Sequence, residues 1–187
     1  PAPTAPCIGA DVAIVDLPQC MERSEQVAKE LSEKYQITAK AYGCNLTDEA
    51  AVNSLFDSIA KDLGTVDVVH NNAGIGGDFD NGGNITINGG IITATGGAEH
   101  NMPHYEHWKQ VLEANLFSEY LVAVAAARIM IRDGHGGSII NTASMAGHIA
   151  NQAPMGKTMD DSSYGVAKAG VLYFTRHFAS QVIQYGI

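Results

Sequence analysis

The sequence predicts an α/β fold built on a parallel sheet. Three observations carry this. Short apolar blocks end in an acid or an asparagine, as buried parallel strands do at their carboxyl ends. Longer segments between them carry apolar residues at helical spacing. The connections are short, so strand and helix alternate by simple crossovers.

Each element follows in order. Val12 to Val15, closed by Asp16, read as a strand. Met21 to Lys34 hold Val27, Ala28 and Leu31 on one helical face. Thr38 to Cys44 read as a second strand. Thr47 is the expected cap of the next helix, with Asp48 and Glu49 in its first turn, where carboxylates meet the positive end of the helix. Val52, Leu55, Phe56, Ile59 and Leu63 line that helix, and Gly64 stands where a helix-ending glycine belongs. Val66 to His70 form a third strand, running into Asn71-Asn72-Ala73-Gly74. Trp108 to Ile131 predict a long apolar helix, Ser138 to Thr142 a strand, and Ser163 to Gln184 a final helix. Residues 76–103 break this rhythm with glycine and asparagine. Within them Ile85-Thr86-Ile87 and Ile91-Ile92-Thr93 flank Asn88-Gly89-Gly90, a hairpin signal. An inserted hairpin and a linker both fit this stretch.

Composition narrows the function. The chain has 187 residues and a formal charge of −9, enough for one domain and unsuited to a nucleic-acid surface. No run of about 18 apolar residues predicts a membrane span. Cys7, Cys20 and Cys44 are odd in number and widely spaced, which argues against a disulfide framework. No basic-then-apolar leader opens the chain, so a cytoplasmic setting is expected and the sequons at Asn45 and Asn84 are expected to be silent. His100, His104 and His107 have a spacing that could suit zinc on one helix. Pro103 interrupts that spacing, so no metal is expected.

Tyr164 and Lys168 stand four apart on the last predicted helix and share a face. A tyrosine hydroxyl is a poor acid or base near neutrality, and a nearby ammonium favours the phenolate. Such a pair can work as a general acid or base. Tyr105 and Lys109 repeat the spacing, so context decides. Ser144 lies just past the strand ending at Thr142, where a hydroxyl can hold a substrate oxygen; Tyr105 has no such partner.

Asn72-Ala73-Gly74, Asn115, Ser144 and Tyr164-x-x-x-Lys168 together resemble the short-chain dehydrogenase/reductase family, in its order and over nearly the whole chain. The segment Thr142 to Asn151 further resembles its polyol and ketose branch, which includes mannitol dehydrogenases, sorbose reductases and arabinitol dehydrogenases. The resemblance implies a Rossmann-like doubly wound sheet. It implies Tyr164 as general acid/base and Ser144 as the group polarising the substrate oxygen. It implies Lys168 on the nicotinamide ribose and Asn115 holding a relay water. Asn72, Ala73 and Gly74 would lie against the cofactor ribose. A plain turn, cap or backbone-satisfying role is the competing reading for Asn72-Ala73-Gly74, Ser144 and Asn115.

Asp16, followed by Leu17, is the expected adenosine-ribose site. A carboxylate there accepts from ribose hydroxyls and repels a 2′-phosphate, so NAD is expected over NADP. Asn45 and Leu46 take the place where many relatives have an aspartate that touches adenine.

The chain also departs from that family. The glycine-rich turn and first strand expected upstream of Gly9 are not found, nor are the last two strands, so residues 1–187 read as one dinucleotide-binding catalytic domain incomplete at both ends. The segment from Ser144 to Tyr164 is longer than in relatives, and Met155, Lys157 and Met159 are expected to line or cover the substrate. The expected function is hydride transfer between a nicotinamide and a secondary alcohol or ketone, a polyol or ketose first. A hydrophobic-ketone reductase and a catalytically silent binding or assembly module are the alternatives. A homodimer or homotetramer packed through the two long helices is expected.

Overall fold

A computed structural model describes residues 9–75, 84–88, 91–95, 105–150 and 162–187. The structure divides into two compact units, residues 1–66 and 67–187.

In the first unit β1 (Val12–Asp16) pairs parallel with β2 (Ala39–Gly43), from Val12 opposite Ala39 to Asp16 opposite Gly43. Helix α1 (Met21–Tyr35) crosses between them. It ends where Gln36 turns left-handed, φ 56°, and returns its N–H to Ser32 O. Helix α2 (Glu49–Leu63) buries Val52, Leu55, Phe56 and Ile59, the face its spacing predicts. Its cap is Asp48 rather than Thr47. Asp48 Oδ1 accepts the Ala51 N–H at 3.0 Å, while the Thr47 hydroxyl donates to Asn45 Oδ1 at 2.9 Å. Every residue of β1 is only half-buried, because β2 is its one sheet partner among the described residues.

In the second unit β3 (Val68–Asn71) pairs parallel with β6 (Ser138–Asn141). The glycine-rich stretch contributes an antiparallel hairpin, β4 (Asn84–Asn88) and β5 (Ile91–Thr95). The rest of the 76–103 expectation lies outside the described residues. The long apolar helix begins earlier than predicted and is not uniform. It comprises α3 (Tyr105–Leu112), a π turn (Glu113–Phe117) and α4 (Ser118–Asp133). By length and composition 105–133 could cross a membrane, yet 56% of its most apolar stretch is buried inside the protein. Ala123, Ala126 and Met130 there are wholly inaccessible. Gly137 makes room for Met130: a Cβ on it would lie 2.6 Å from the methionine sulfur. Helix α5 (Ser163–Val182) closes the unit, burying Ala167, Lys168 and Val171.

Parallel pairing with intervening helices is the α/β class the sequence predicts. It places the strand-end residues of each unit at the carboxyl edge, where ligands bind in such folds.

Candidate active site

The residues of the second unit converge on the carboxyl ends of β3 and β6. Thr142 continues β6, and its N–H donates to Asn71 O at 2.9 Å. Its hydroxyl donates to Asn72 Oδ1 at 3.2 Å and meets His70 Nε2 at 3.1 Å. Asn72 is thus tied to the end of β6, while Ala73 is exposed.

Ser144 caps a single 3-10 turn, Met145–Gly147, and its Oγ accepts the Ala146 N–H at 3.2 Å. Because Oγ accepts there, its own hydrogen remains to donate elsewhere. Two glycines seat this turn on α5. A Cβ on Gly147 would lie 2.7 Å from Ala169 N, and one on Gly165 would lie 3.0 Å from Ala146 O. The serine turn and the helix bearing Tyr164 and Lys168 therefore meet backbone to backbone. Tyr164 is half-buried and Lys168 is buried.

Lys168 Nζ donates to Thr142 O and to Glu119 Oε1, both at 2.7 Å. Glu119 is 2% exposed. Burial pushes its carboxyl above the ordinary carboxylate range, and the Lys168 hydrogen bond and charge oppose that. Glu119 is not among the residues expected at the site. Its signal is an acid at the start of the most apolar part of the helix, four residues after Asn115 and so on the same face.

Asn115 lies in the π turn and is 1% exposed. Its Nδ2 donates to Ile75 O at 2.8 Å and Val111 O at 2.9 Å, and its Oδ1 accepts from Ile75 N at 3.1 Å. The side chain therefore anchors the segment following β3. Gly74 is part of the same fit, since a Cβ on it would strike Asn115 Oδ1.

The rival pair falls on the surface. Tyr105 is 75% exposed, and Lys109 pairs with Glu113 at 3.8 Å. His107 is half-buried; His100, His104, Met155, Lys157 and Met159 lie outside the described residues.

In the first unit, Asp16 ends β1 and Asn45 follows β2, joined by the Cys44 N–H donating to Asp16 O at 2.8 Å. Asp16 Oδ1 accepts the Leu17 N–H at 2.7 Å. Asn45 Oδ1 caps Thr47, accepting its N–H at 3.2 Å, and Leu46 is half-buried.

A parallel strand pair, with a capping serine and a tyrosine–lysine helix toward its carboxyl edge, places the second unit among α/β proteins with a Rossmann-like arrangement. The family model for short chain dehydrogenases matches residues 7–187, and the chain belongs to that family. It is 34% identical to an NADP-dependent mannitol dehydrogenase of Alternaria alternata, over 92% of this chain and 55% of that protein. It is 31% identical to a sorbose reductase of Candida albicans, over 95% of this chain and 54% of that one. Among solved structures it resembles an NADPH-dependent 3-quinuclidinone reductase from Rhodotorula rubra. The TM-score is 0.68 at 29% identity, covering 93% of this chain and 56% of that one. The chain spans about half the length of the curated relatives it matches.

These relatives correct the expected cofactor: they point to NADP rather than NAD. The Asp16 carboxylate is not the whole of the local charge, and its Oδ1 accepts the Leu17 N–H. Arg23 adds a cation in α1, close enough for its charge to act on the Cys20 thiol, as Asp16 also does. The donor set in the second unit fits a nicotinamide ribose. Among the described residues two of the three Lys168 N–H groups are used, which leaves one that could meet a ribose hydroxyl.

Proposed function

We propose that the protein carrying this chain interconverts a secondary alcohol and a ketone with NADP(H), a polyol and its ketose being the substrate class. The observation that carries this reading is the contact of the Ser144 turn with α5 at Gly147 and Gly165. It sets the turn that Ser144 caps, with the serine's hydroxyl hydrogen left to donate, against the helix of Tyr164 and Lys168. A silent module has no need of that arrangement. The names of the mannitol dehydrogenase and sorbose reductase relatives support the substrate class.

In the oxidising direction Tyr164, as phenolate, takes the proton of the substrate hydroxyl. Ser144 donates to the same oxygen and holds it in place. Lys168 directs its remaining N–H to the ribose and sustains the phenolate. A bound nicotinamide supplies the hydride acceptor. Asn115 holds the segment after β3, with Asn72, Ala73 and Gly74 against the cofactor. In the first unit Asp16, Leu17, Asn45 and Leu46 belong to the adenosine end.

Tyr164→Phe tests the reading. Turnover should fall by about 10²–10⁴-fold with nucleotide binding retained; undiminished turnover overturns the assignment. A panel of sugar alcohols against hydrophobic ketones tests the substrate class, and preference for the ketones overturns it.

A further inference from the structure

The Lys168 ammonium is buried against a carboxylate. Lysine and glutamate are 4% and 2% exposed, with 2.7 Å between Nζ and Oε1. Glu119 stands inside the continuous helix of residues 105–133, so no helix N-terminus accounts for an acid there, and its side chain is buried. Its second oxygen, Oε2, is buried with no hydrogen-bond partner among the described residues. Burying a carboxylate with one oxygen unpaired is unfavourable for folding. Its location therefore points to the group it touches.

The consequence for Lys168 is electrostatic. A lone ammonium presents a full positive charge to Tyr164, one helical turn away. Paired with Glu119 it presents a dipole, whose field falls off faster with distance. The pair also fixes the Nζ direction: with one N–H on Glu119 and one on Thr142 O, the third has a single remaining direction. We propose that Glu119 is a positioning residue for the reaction, clamping Lys168 and tempering the charge it presents to Tyr164. This rests on the function proposed above.

Other titratable groups lie on the elements that carry the pair or pack against it. Tyr164 is on α5 itself, and His107 and Glu113 are on α3 and the π turn. His148 follows the Ser144 turn, and His70 on β3 reaches Thr142, whose carbonyl Lys168 uses. Among the described residues Glu119 is the acid that bonds Lys168 directly.

The test is the pH–rate profile of alcohol oxidation in the full protein, for wild type, Glu119→Gln and Glu119→Asp. Gln keeps the shape and removes the counter-charge, so the acid limb should move to lower pH by about one unit, a tenfold rate gain on that limb. Asp restores the charge and should return the profile toward wild type. A purely structural role would leave the profile in place, and an unmoved or upward-shifted limb in Glu119→Gln overturns the proposal. If Glu119→Gln does not fold, Glu119→Met takes its place with the same expected shift. Failure of both to fold assigns the glutamate to stability alone and overturns it too. Tyr164→Phe separates the two readings. Lost turnover there with an unmoved Glu119→Gln profile defeats only the role of Glu119. Retained turnover defeats the tyrosine reading and this one together.

Discussion

Asn115 and Ile75 exchange two hydrogen bonds: the amide oxygen accepts the Ile75 N–H at 3.1 Å, and the amide nitrogen donates to the Ile75 carbonyl at 2.8 Å. One side chain thus completes the backbone of the segment after β3, as a strand neighbour would. Asn115→Ala removes both bonds and leaves the Ile75 groups unmatched. It should destabilise the protein by about 1–3 kcal/mol in urea unfolding. Asn115→Asp should cost more, because it keeps the acceptor and sets a carboxylate against the Ile75 and Val111 carbonyls. An Asp variant as stable as wild type would contradict the bonding pattern.

Gly74 shares that contact, since a Cβ there would strike Asn115 Oδ1. Gly74→Ala should therefore destabilise the wild type and cost markedly less in the Asn115→Ala background. A double-mutant cycle by urea unfolding measures the coupling. Strict additivity would show that the two residues do not meet.

Gly147 and α5 make the second prediction about close approach. A methyl at Gly147 would sit 2.7 Å from both Ala169 N and the Lys168 carbonyl carbon, which are backbone atoms that cannot swing away. Gly147→Ala should cost about 1–3 kcal/mol and lower kcat by moving the turn that carries Ser144. Gly170→Ala is the control. Its nearest neighbours are the Leu116 side-chain methyls, at 2.8 and 3.0 Å, and a leucine side chain can rotate. The control should lose less on both measures; equal losses would show that the serine turn is not specially seated.

Much of this is legible in the sequence because it is local. Tyr164 and Lys168 share a face by spacing alone, Gly64 ends α2, and the runs on either side of the Asn88-Gly89-Gly90 signal pair antiparallel as β4 and β5. What is not legible depends on partners far along the chain. Glu119 meets Lys168 across 49 positions, and Asn115 meets Ile75 across 40. Neither spacing follows a helical or strand period. The π turn is hidden for a related reason: one extra residue in the helix is invisible to a 3.6-residue pattern read over so long an apolar run. The cofactor is not legible from Asp16, because one carboxylate does not set the local charge: Arg23, in the helix that follows, acts on the same Cys20 thiol with the opposite sign.

Glu119 also predicts how stability depends on pH. Burial holds its folded-state carboxyl above the ordinary value of 4.5, and the Lys168 hydrogen bond and charge limit the rise. As pH rises past the ordinary value, the unfolded chain releases this proton first and the folded chain keeps it. The folded state then binds more protons, so this group makes stability fall with rising pH until the folded carboxyl has titrated as well. Other carboxylates contribute their own slopes, but these cancel in a difference between variants. Urea unfolding of wild type and Glu119→Gln from about pH 4 to about pH 7 isolates the effect. The stability of the Gln variant relative to wild type should climb with pH, at no more than about 1.4 kcal/mol per unit, and then level off. A relative stability that falls with pH would mean that Lys168 outweighs burial and holds the carboxyl below its ordinary value.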